Sequence, residues 1–478
     1  MTTISHVPVG SMPPERFEQI LERAAGARFL QAIDQARSEL RGVVVWNINS
    51  TSKGGGVAEM LRSLLAYARG SGVDTRWVTI GGNPDFFKLT KRLHNHLHGA
   101  PGDGGPLGEA ERTTYEAVAD AAAREMTPLI QPGDIVLVHD PQPAGLCGPL
   151  KDAGAKVIWR CHIGLDQTND LIREAWGFLR PYVEPADEFV FSRISYAWEG
   201  LPEERITVVP PSIDAFSPKN QEMSAEVVQA ILSASGIIPD GGEEHAVFTH
   251  VDGSPARVES KAVVYETQPP PSDAQIVVQV SRWDRLKDPV GVIQGFADHV
   301  VGSVDAHLVY AGPAVEAVSD DPEGAEVLEE ARDLWEALPS PAKERVHLAC
   351  LPMDDSDENA AIVNALQRRA DVVVQKSIAE GFGLTVSEAM WKGRPVVATR
   401  IGGIQDQITD DSGVLIDDPQ DLEAYGAAVA ALLDDPERAA TLGAAARERV
   451  RDKFLGPRHL MQYLDIFRPR SFRYLAIQ

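Results

Sequence analysis

Cysteine is nearly absent. Only Cys147, Cys161 and Cys350 occur in 478 residues, and they are widely spaced. Such usage excludes a disulfide framework or a zinc ribbon and points to a reducing compartment. No apolar stretch reaches the length of a membrane span. Met1 to His6 show no basic region followed by an apolar core, so no secretory signal is read there. Positive charge is also short: 45 Lys and Arg stand against 70 Asp and Glu, for a formal net charge of −25. So acidic a chain is a poor partner for nucleic acid or an anionic membrane. Together these absences place the protein in the cytoplasm, with neither nucleic acid nor membrane as partner. What remains is ordinary for a soluble globular protein, with 44% hydrophobic and 24% charged residues. The length exceeds one ordinary core, so about two or three domains are expected.

Periodicity fixes the organisation. Residues 12–40 read as a helical extension, with Pro13-Pro14 at its start and Phe17, Ile20, Leu21 and Ala24 at helical spacing. From Gly42 onward, apolar strand-like runs alternate with helices: Val43–Ile48, Arg76–Ile80, Ile135–His139, Val157–Cys161, Glu188–Ser192 and Ile206–Val209. A second series runs through Gln275–Val280, His307–Ala311, Val346–Ala349, Asp371–Gln375, Pro395–Thr399 and Val414–Ile416. Strands without clean alternation, separated by helices, indicate parallel sheets covered on both faces. The fold class is therefore α/β, with two doubly wound Rossmann-like domains. Between the two series, residues 236–273 break the rhythm. They hold an alternating run, Arg257 to Tyr265, read as a small hairpin insertion, and a stiff Pro269-Pro-Pro271 linker. The Gly- and Pro-rich loop Ala100–Gly108 reads as a mobile segment or lid.

The most informative phrase is Glu380-Gly-Phe-Gly-Leu-Thr-Val-Ser-Glu388. It follows a buried-type strand and runs into a helix. Glu380 thus lies in a strand-to-helix loop, and Glu388 lies in the first turns of the helix. The free N–H groups of a helix start suit an anion, and carboxylates suit sugar or ribose hydroxyls. Phosphate plus hydroxyls describes a nucleotide sugar. The acidic chain then needs a local positive patch. Ser281-Arg-Trp-Asp-Arg-Leu-Lys-Asp288 supplies one, in which Arg282 and Lys287 can converge on a diphosphate. The same loop is also readable as a solvated one capped by Asp284 and Asp288. Gly54-Gly-Gly56, after the first strand, allows close backbone approach to a ligand but is equally a flexible turn. His162 and Asp140 each end a strand, where ligands of open α/β sheets bind. His162 is equally a structural histidine, and Asp140 a turn-former before proline. His94, His96 and His98 lack the acidic partner of a zinc-protease motif and read as a polar helix end, so no metal is expected.

Taken together, these motifs resemble the family 4 retaining glycosyltransferases of GT-B fold, whose two domains face a central cleft. Within that family the chain looks most like the trehalose glycosyltransferring synthases. The resemblance runs from about Gly42 to the C-terminus. It is carried by Trp46-Asn-Ile-Asn-Ser-Thr51, Gly54-Gly-Gly-Val-Ala-Glu59, Phe86-Phe-Lys-Leu-Thr-Lys91, His139-Asp-Pro-Gln-Pro143 and Trp159-Arg-Cys-His-Ile163. Pro211-Ser-Ile-Asp214, Val280-Ser-Arg-Trp-Asp284, Gln375-Lys-Ser-Ile378 and Ala389-Met-Trp-Lys-Gly393 extend it. The stretch 243–271 is an insertion relative to shorter members. The resemblance implies an acceptor domain over 41–235, a linker over 236–273, a donor domain over 274–455, and a segment 456–478 that packs back on the first domain. It implies that Arg282 and Lys287 hold the donor diphosphate, with Gly55 and Gly56 closing over it. Glu380 and the N–H groups of Gly381, Phe382, Gly383 and Leu384 would hold the donor glucose, and Glu388 the ribose. His162 would contact the donor sugar near its C6 hydroxyl, and Asp140 and Asn49 would serve the acceptor. Implied also are transfer of glucose from a nucleoside-diphosphate glucose (UDP- or ADP-glucose) to glucose with retention, no cofactor or metal, and a homodimer. Two alternatives stand beside this reading: another acceptor, or a non-catalytic nucleotide-sugar-binding protein. A phosphorylated acceptor would draw on Lys88, Lys91, Arg92 or Arg160.

Overall fold

The computed structural model describes residues 3–52, 56–239, 242, 245–315 and 322–468. The chain forms two compact units, residues 1–212 with 456–478, and residues 213–455.

The first unit is built on seven strands: β1 (Ile4–Val7), β2 (Val44–Asn49), β3 (Asp74–Ile80), β4 (Ile135–His139), β5 (Lys156–Cys161), β6 (Glu188–Phe191) and β7 (Ile206–Val208). Their spatial order is β1-β3-β2-β4-β5-β6-β7. All pairs are parallel except β1 with β3, where Ile4 lies opposite Ile80. The helices are α1 (Arg23–Glu39), α2 (Gly56–Gly70), α3 (Pro84–Leu97), α4 (Glu109–Met126), α5 (Cys147–Asp152), α6 (Asp170–Val183) and, from the far end of the chain, α16 (Gly456–Phe467).

Strand parity explains why both faces are covered. Trp46, Ile48, Val136, Val138, Val157 and Trp159 point into one core with residues of α3, α4 and α6 such as Phe86, Tyr115 and Ile172. Val45, Ile135, Leu137 and Ile158 point the other way, against Ala36 of α1 and Tyr463, Leu464 and Ile466 of α16. Each such side chain, fully buried, contributes about 1.5–3 kcal/mol of transfer free energy, so a run apolar at every position is stable only between two helix layers.

The second unit repeats the plan. Its strands β8 (Val247–Thr249) and β9 (Pro255–Arg257) form a separate antiparallel hairpin. The main sheet comprises β10 (Val263–Tyr265), β11 (Gln275–Val280), β12 (Ala306–Pro313), β13 (Val346–Leu351), β14 (Val372–Gln375), β15 (Val396–Thr399) and β16 (Val414–Ile416), in the order β10-β13-β12-β11-β14-β15-β16. Only β10 is antiparallel, pairing with β13. The helices are α7 (Ala225–Ala234), α8 (Pro289–His299), α9 (Pro322–Ala337), α10 (Ser340–Lys343), α11 (Ser356–Arg369), α12 (Leu384–Trp391), α13 (Ile404–Gln407), α14 (Leu422–Asp434) and α15 (Pro436–Lys453). Among the described residues no helix is long and apolar enough to cross a membrane.

Four details depart from the sequence reading. The N-terminal stretch is not only helical, since β1 adds an edge strand before a 3-10 turn, Pro14–Gln19, and α1. The units part at Ser212, not at residue 235. The reason is that the α7 region is tied to α11, where the Asn364 amide donates to Pro218 O and Gln221 O at 3.0 and 2.9 Å. The alternating run is divided: Arg257 ends the β8–β9 hairpin, whereas Val263–Tyr265 extends the main sheet as β10. The glycine-rich loop after α3 is latched: the Arg92 guanidinium holds the Asp103 carboxylate at 2.5 and 2.9 Å and also bonds Pro106 O.

Candidate functional site

In the second unit the site begins where β14 ends. The chain leaves Gln375, turns through Gly381-Phe-Gly383 and enters α12. Gly383 sits at φ +81, left-handed backbone that suits glycine, and a Cβ there would stand 3.0 Å from Ile404 Cγ1 and 3.2 Å from Glu380 Cγ. Gln407 clasps the turn. Its amide donates to Phe382 O at 2.5 Å and Gly383 O at 3.2 Å, while its oxygen accepts from Ser387 Oγ at 2.5 Å. The first N–H groups of α12 have no partner within the helix, as at any helix start, so the turn is framed to meet negative charge.

Glu380 accepts from Lys287 Nζ at 2.7 Å, and the two side chains are only 13% and 16% exposed. The sequence assigned them to different parts of a ligand, and the structure brings them together as counter-ions. Ile378 N donates to Leu286 O at 2.8 Å and so staples the two loops. Beside them Asp288, at φ 52, caps α8 by accepting from Gly291 N and pairs with the buried Lys376. The result is two adjacent ion pairs, Lys287–Glu380 and Asp288–Lys376. Arg282 lies on the same loop but is 62% exposed and donates to Asp284 Oδ2 at 3.0 Å.

Glu388 is not at the surface. It is 3% exposed, with Lys219 Nζ 3.7 Å from its carboxylate. Its main-chain oxygen accepts from Lys392 Nζ, which also donates to Asn220 Oδ1 and Gln367 Oε1, at 2.8 to 3.1 Å. Burial pulls the Lys392 pKa down to about 7, and the Glu388 carboxylate opposes the fall. Sequence reasoning gives Asp288 only a capping role in its own loop and gives Lys376, Lys219 and Lys392 none. The available signal was a lysine set directly after the apolar strand at 376, and another inside the apolar helix end at 392.

The first unit places its candidates at the C-terminal ends of β4 and β5. Asp140 is held at φ 65, a left-handed conformation in which Asp is among the tolerated types. Three bonds impose it: Asp140 N to Arg160 O at 2.8 Å, Trp159 Nε1 to Asp140 O at 3.2 Å, and His162 N to Asp140 Oδ1 at 2.7 Å. Burial pushes the Asp140 carboxyl up to about 7, against the His162 N–H and the Arg160 charge. His162 is partly exposed, and its Nε2 lies 3.1 Å from His139 Nδ1. Burial and then Arg160 hold both imidazoles neutral, His139 at about 3 and His162 well below the ordinary value.

Asn49 differs from its expected role at the acceptor. It is 4% exposed, its oxygen accepts from Trp77 Nε1 at 2.8 Å, and its amide donates to Thr51 O at 2.5 Å. One end is thus tied to β3 and the other to the loop after β2. Arg160 is fully buried and bonds Ser192 Oγ and Val209 O. Its Nε and Nη1 are buried without a hydrogen-bond partner. Of the cations considered for a phosphorylated acceptor, Arg92 is thus paired with Asp103, and Arg160 is closed off from solvent. Gly56 opens α2, whereas Gly55 lies outside the described residues. A cavity of about 80 Å³ between α1, α2, α16 and β2–β4 is lined almost wholly by carbon and by none of the predicted site residues.

Known proteins match the chain on both units. A model of the trehalose synthase N-terminal domain matches residues 47–198, and one of the group 1 glycosyl transferases matches residues 265–449. A trehalose synthase of Rubrobacter xylanophilus is 37% identical over 440 residues, covering 91% of this chain and 92% of that one. A trehalose synthase of Pyrococcus horikoshii is 35% identical, covering 92% and 93%. Among solved structures, a UDP-forming α,α-trehalose-phosphate synthase from Burkholderia vietnamiensis superposes with a TM-score of 0.65 at 14% identity, over 91% of this chain and 98% of that one, a likeness of fold. The two Rossmann-like units are those of the GT-B glycosyltransferases, and the chain belongs to the trehalose synthase family among them.

Proposed function

We propose that the protein is a retaining glycosyltransferase that moves glucose from a nucleoside-diphosphate glucose to free glucose and forms trehalose. One observation carries the donor half of this reading: the Lys287–Glu380 pair at the start of α12. A diphosphate arriving there takes Lys287 as its counter-charge and frees Glu380 to accept sugar hydroxyls. Lys287, Arg282 and the N–H groups at the helix start then face the negative charge that grows on the leaving diphosphate, and electrostatic stabilisation of this kind is commonly the largest catalytic contribution. The acceptor attacks C1 on the face the diphosphate leaves, the C1–O bond to phosphate breaks, and the acceptor proton passes to a phosphate oxygen. Neither Glu380 nor Glu388 acts as nucleophile, and no metal takes part.

For the acceptor, the pairing of Arg92 with Asp103 and the complete burial of Arg160 favour an uncharged sugar over a sugar phosphate. The test is a matrix of UDP-, ADP- and GDP-glucose, and glucose 1-phosphate, against glucose and glucose 6-phosphate, with products identified by NMR. A non-reducing α,α-disaccharide from a nucleotide donor and glucose is expected, undiminished by a chelator. Transfer only to glucose 6-phosphate, or only from glucose 1-phosphate, would overturn the assignment.

A further inference from the structure

Asn47 on β2, His139 on β4 and His162 just beyond β5 form a hydrogen-bonded row across three neighbouring strands. His139 Nε2 lies 3.1 Å from Asn47 Oδ1, and His139 Nδ1 lies 3.1 Å from His162 Nε2. The two imidazoles are nearly parallel, at 16°. Asn47 and His139 are 2% and 1% exposed, whereas His162 is partly open. The row therefore starts in the core and ends at the site.

Its polarity follows from valence. An amide oxygen only accepts, so the hydrogen between Asn47 and His139 sits on His139 Nε2. A neutral imidazole carries one N–H, so His139 Nδ1 is a lone pair. His162 must then donate from Nε2, which leaves its own Nδ1 as a lone pair. Burial beside Arg160 disfavours a second proton on either ring, which keeps this order intact.

We propose that Asn47 and His139 are positioning residues that fix His162 as the Nε2–H tautomer, so that its free nitrogen meets the ligand as a hydrogen-bond acceptor. An acceptor takes a hydroxyl hydrogen and repels a phosphate oxygen. The group recognised at His162 is accordingly a hydroxyl. Naming it a sugar hydroxyl rests on the proposed function; the tautomer does not.

The experiment is two-bond 1H–15N NMR on the full chain labelled with 15N-histidine, with the His162 signals identified by their loss in His162→Gln. At pH 7, His162 is expected neutral and protonated on Nε2 alone. In Asn47→Leu the order loses its origin, the Nδ1–H form of His162 appears, and kcat falls roughly 10- to 100-fold, as for partners that orient a functional imidazole, while KM for the nucleotide donor changes less than twofold. A wild-type His162 protonated on Nδ1, or on both nitrogens, would overturn the proposal even if Asn47→Leu failed to fold. An Asn47→Leu protein with unchanged tautomer and unchanged kcat would do the same. Absence of turnover with every nucleotide sugar would remove the proposed function and leave the tautomer result standing.

Discussion

Lys287 and Glu380 neutralise each other, so under the proposed function an incoming diphosphate competes with a carboxylate already 2.7 Å from the ammonium. Lys287→Ala should lower kcat/KM by about 10²–10³-fold, the range for losing one donor to a developing anion. The fold should persist, with an unchanged circular dichroism spectrum; near-normal activity would remove Lys287 from the donor site. Asp140 makes a second prediction at this scale. Its carboxyl is raised from an ordinary 3.8 to about 7 by burial. Between those values the unfolded chain ionises while the folded protein stays protonated, so this residue's contribution falls as pH rises from about 4 to about 7 and is level above. Asparagine tolerates the same left-handed backbone. Asp140→Asn should thus gain in urea stability over wild type as pH increases across that window, and a pH-independent difference would refute the shift. These positions were partly legible in the sequence. Strand-end positions singled out Asp140 and His162. Nothing local announced that Lys376 would face Asp288, since their contact depends on how two loops far apart in the chain meet.

Elements carry the same lesson at larger size. The turn into α12 was readable from Gly381-Phe-Gly383, because a left-handed backbone asks for glycine. Its clasp, Gln407, lies on a later helix and gave no such sign. Gly383→Ala should destabilise the protein by roughly 1–2 kcal/mol from backbone strain, with Ile404 only 3.0 Å from the new methyl, and should weaken nucleotide-sugar binding measured by calorimetry. The insertion is located by its broken rhythm and holds a hairpin, β8–β9, but the end of its alternating run joins the main sheet. Alternation identifies an extended segment but not its partner, and β10 found β13. What secures the stretch before it is Glu358 of α11, which accepts from Glu259 N, Ser260 N and Ser260 Oγ at 2.5 to 2.8 Å. Glu358→Ala orphans three donors, so limited proteolysis should cut between residues 240 and 262 faster than in wild type.

For the whole molecule, the two-domain plan was visible because buried parallel strands read as continuous apolar runs in two separate series. The border after Ser212 was not, since it depends on α7 packing against α11, whereas the return at Gly456, with α16 in the first unit, lies where the resemblance implies it. That last helix buries Tyr463, Leu464 and Ile466, bonds Pro210 O and Pro211 O through Arg458, and receives Lys156 Nζ on Phe467 O at 3.2 Å. Truncation after Leu455 should therefore lower the melting of the first unit and spare the second, seen as a split calorimetric transition.

The path of the chain has a temporal consequence. It departs the first unit after Ser212 and re-enters at Gly456, and Ile213 bonds Phe454 O at 2.9 Å where outgoing and returning segments meet. The second unit is thus spliced into the first. On a translating ribosome it emerges before α16, so it can finish folding while the first unit still waits for that helix.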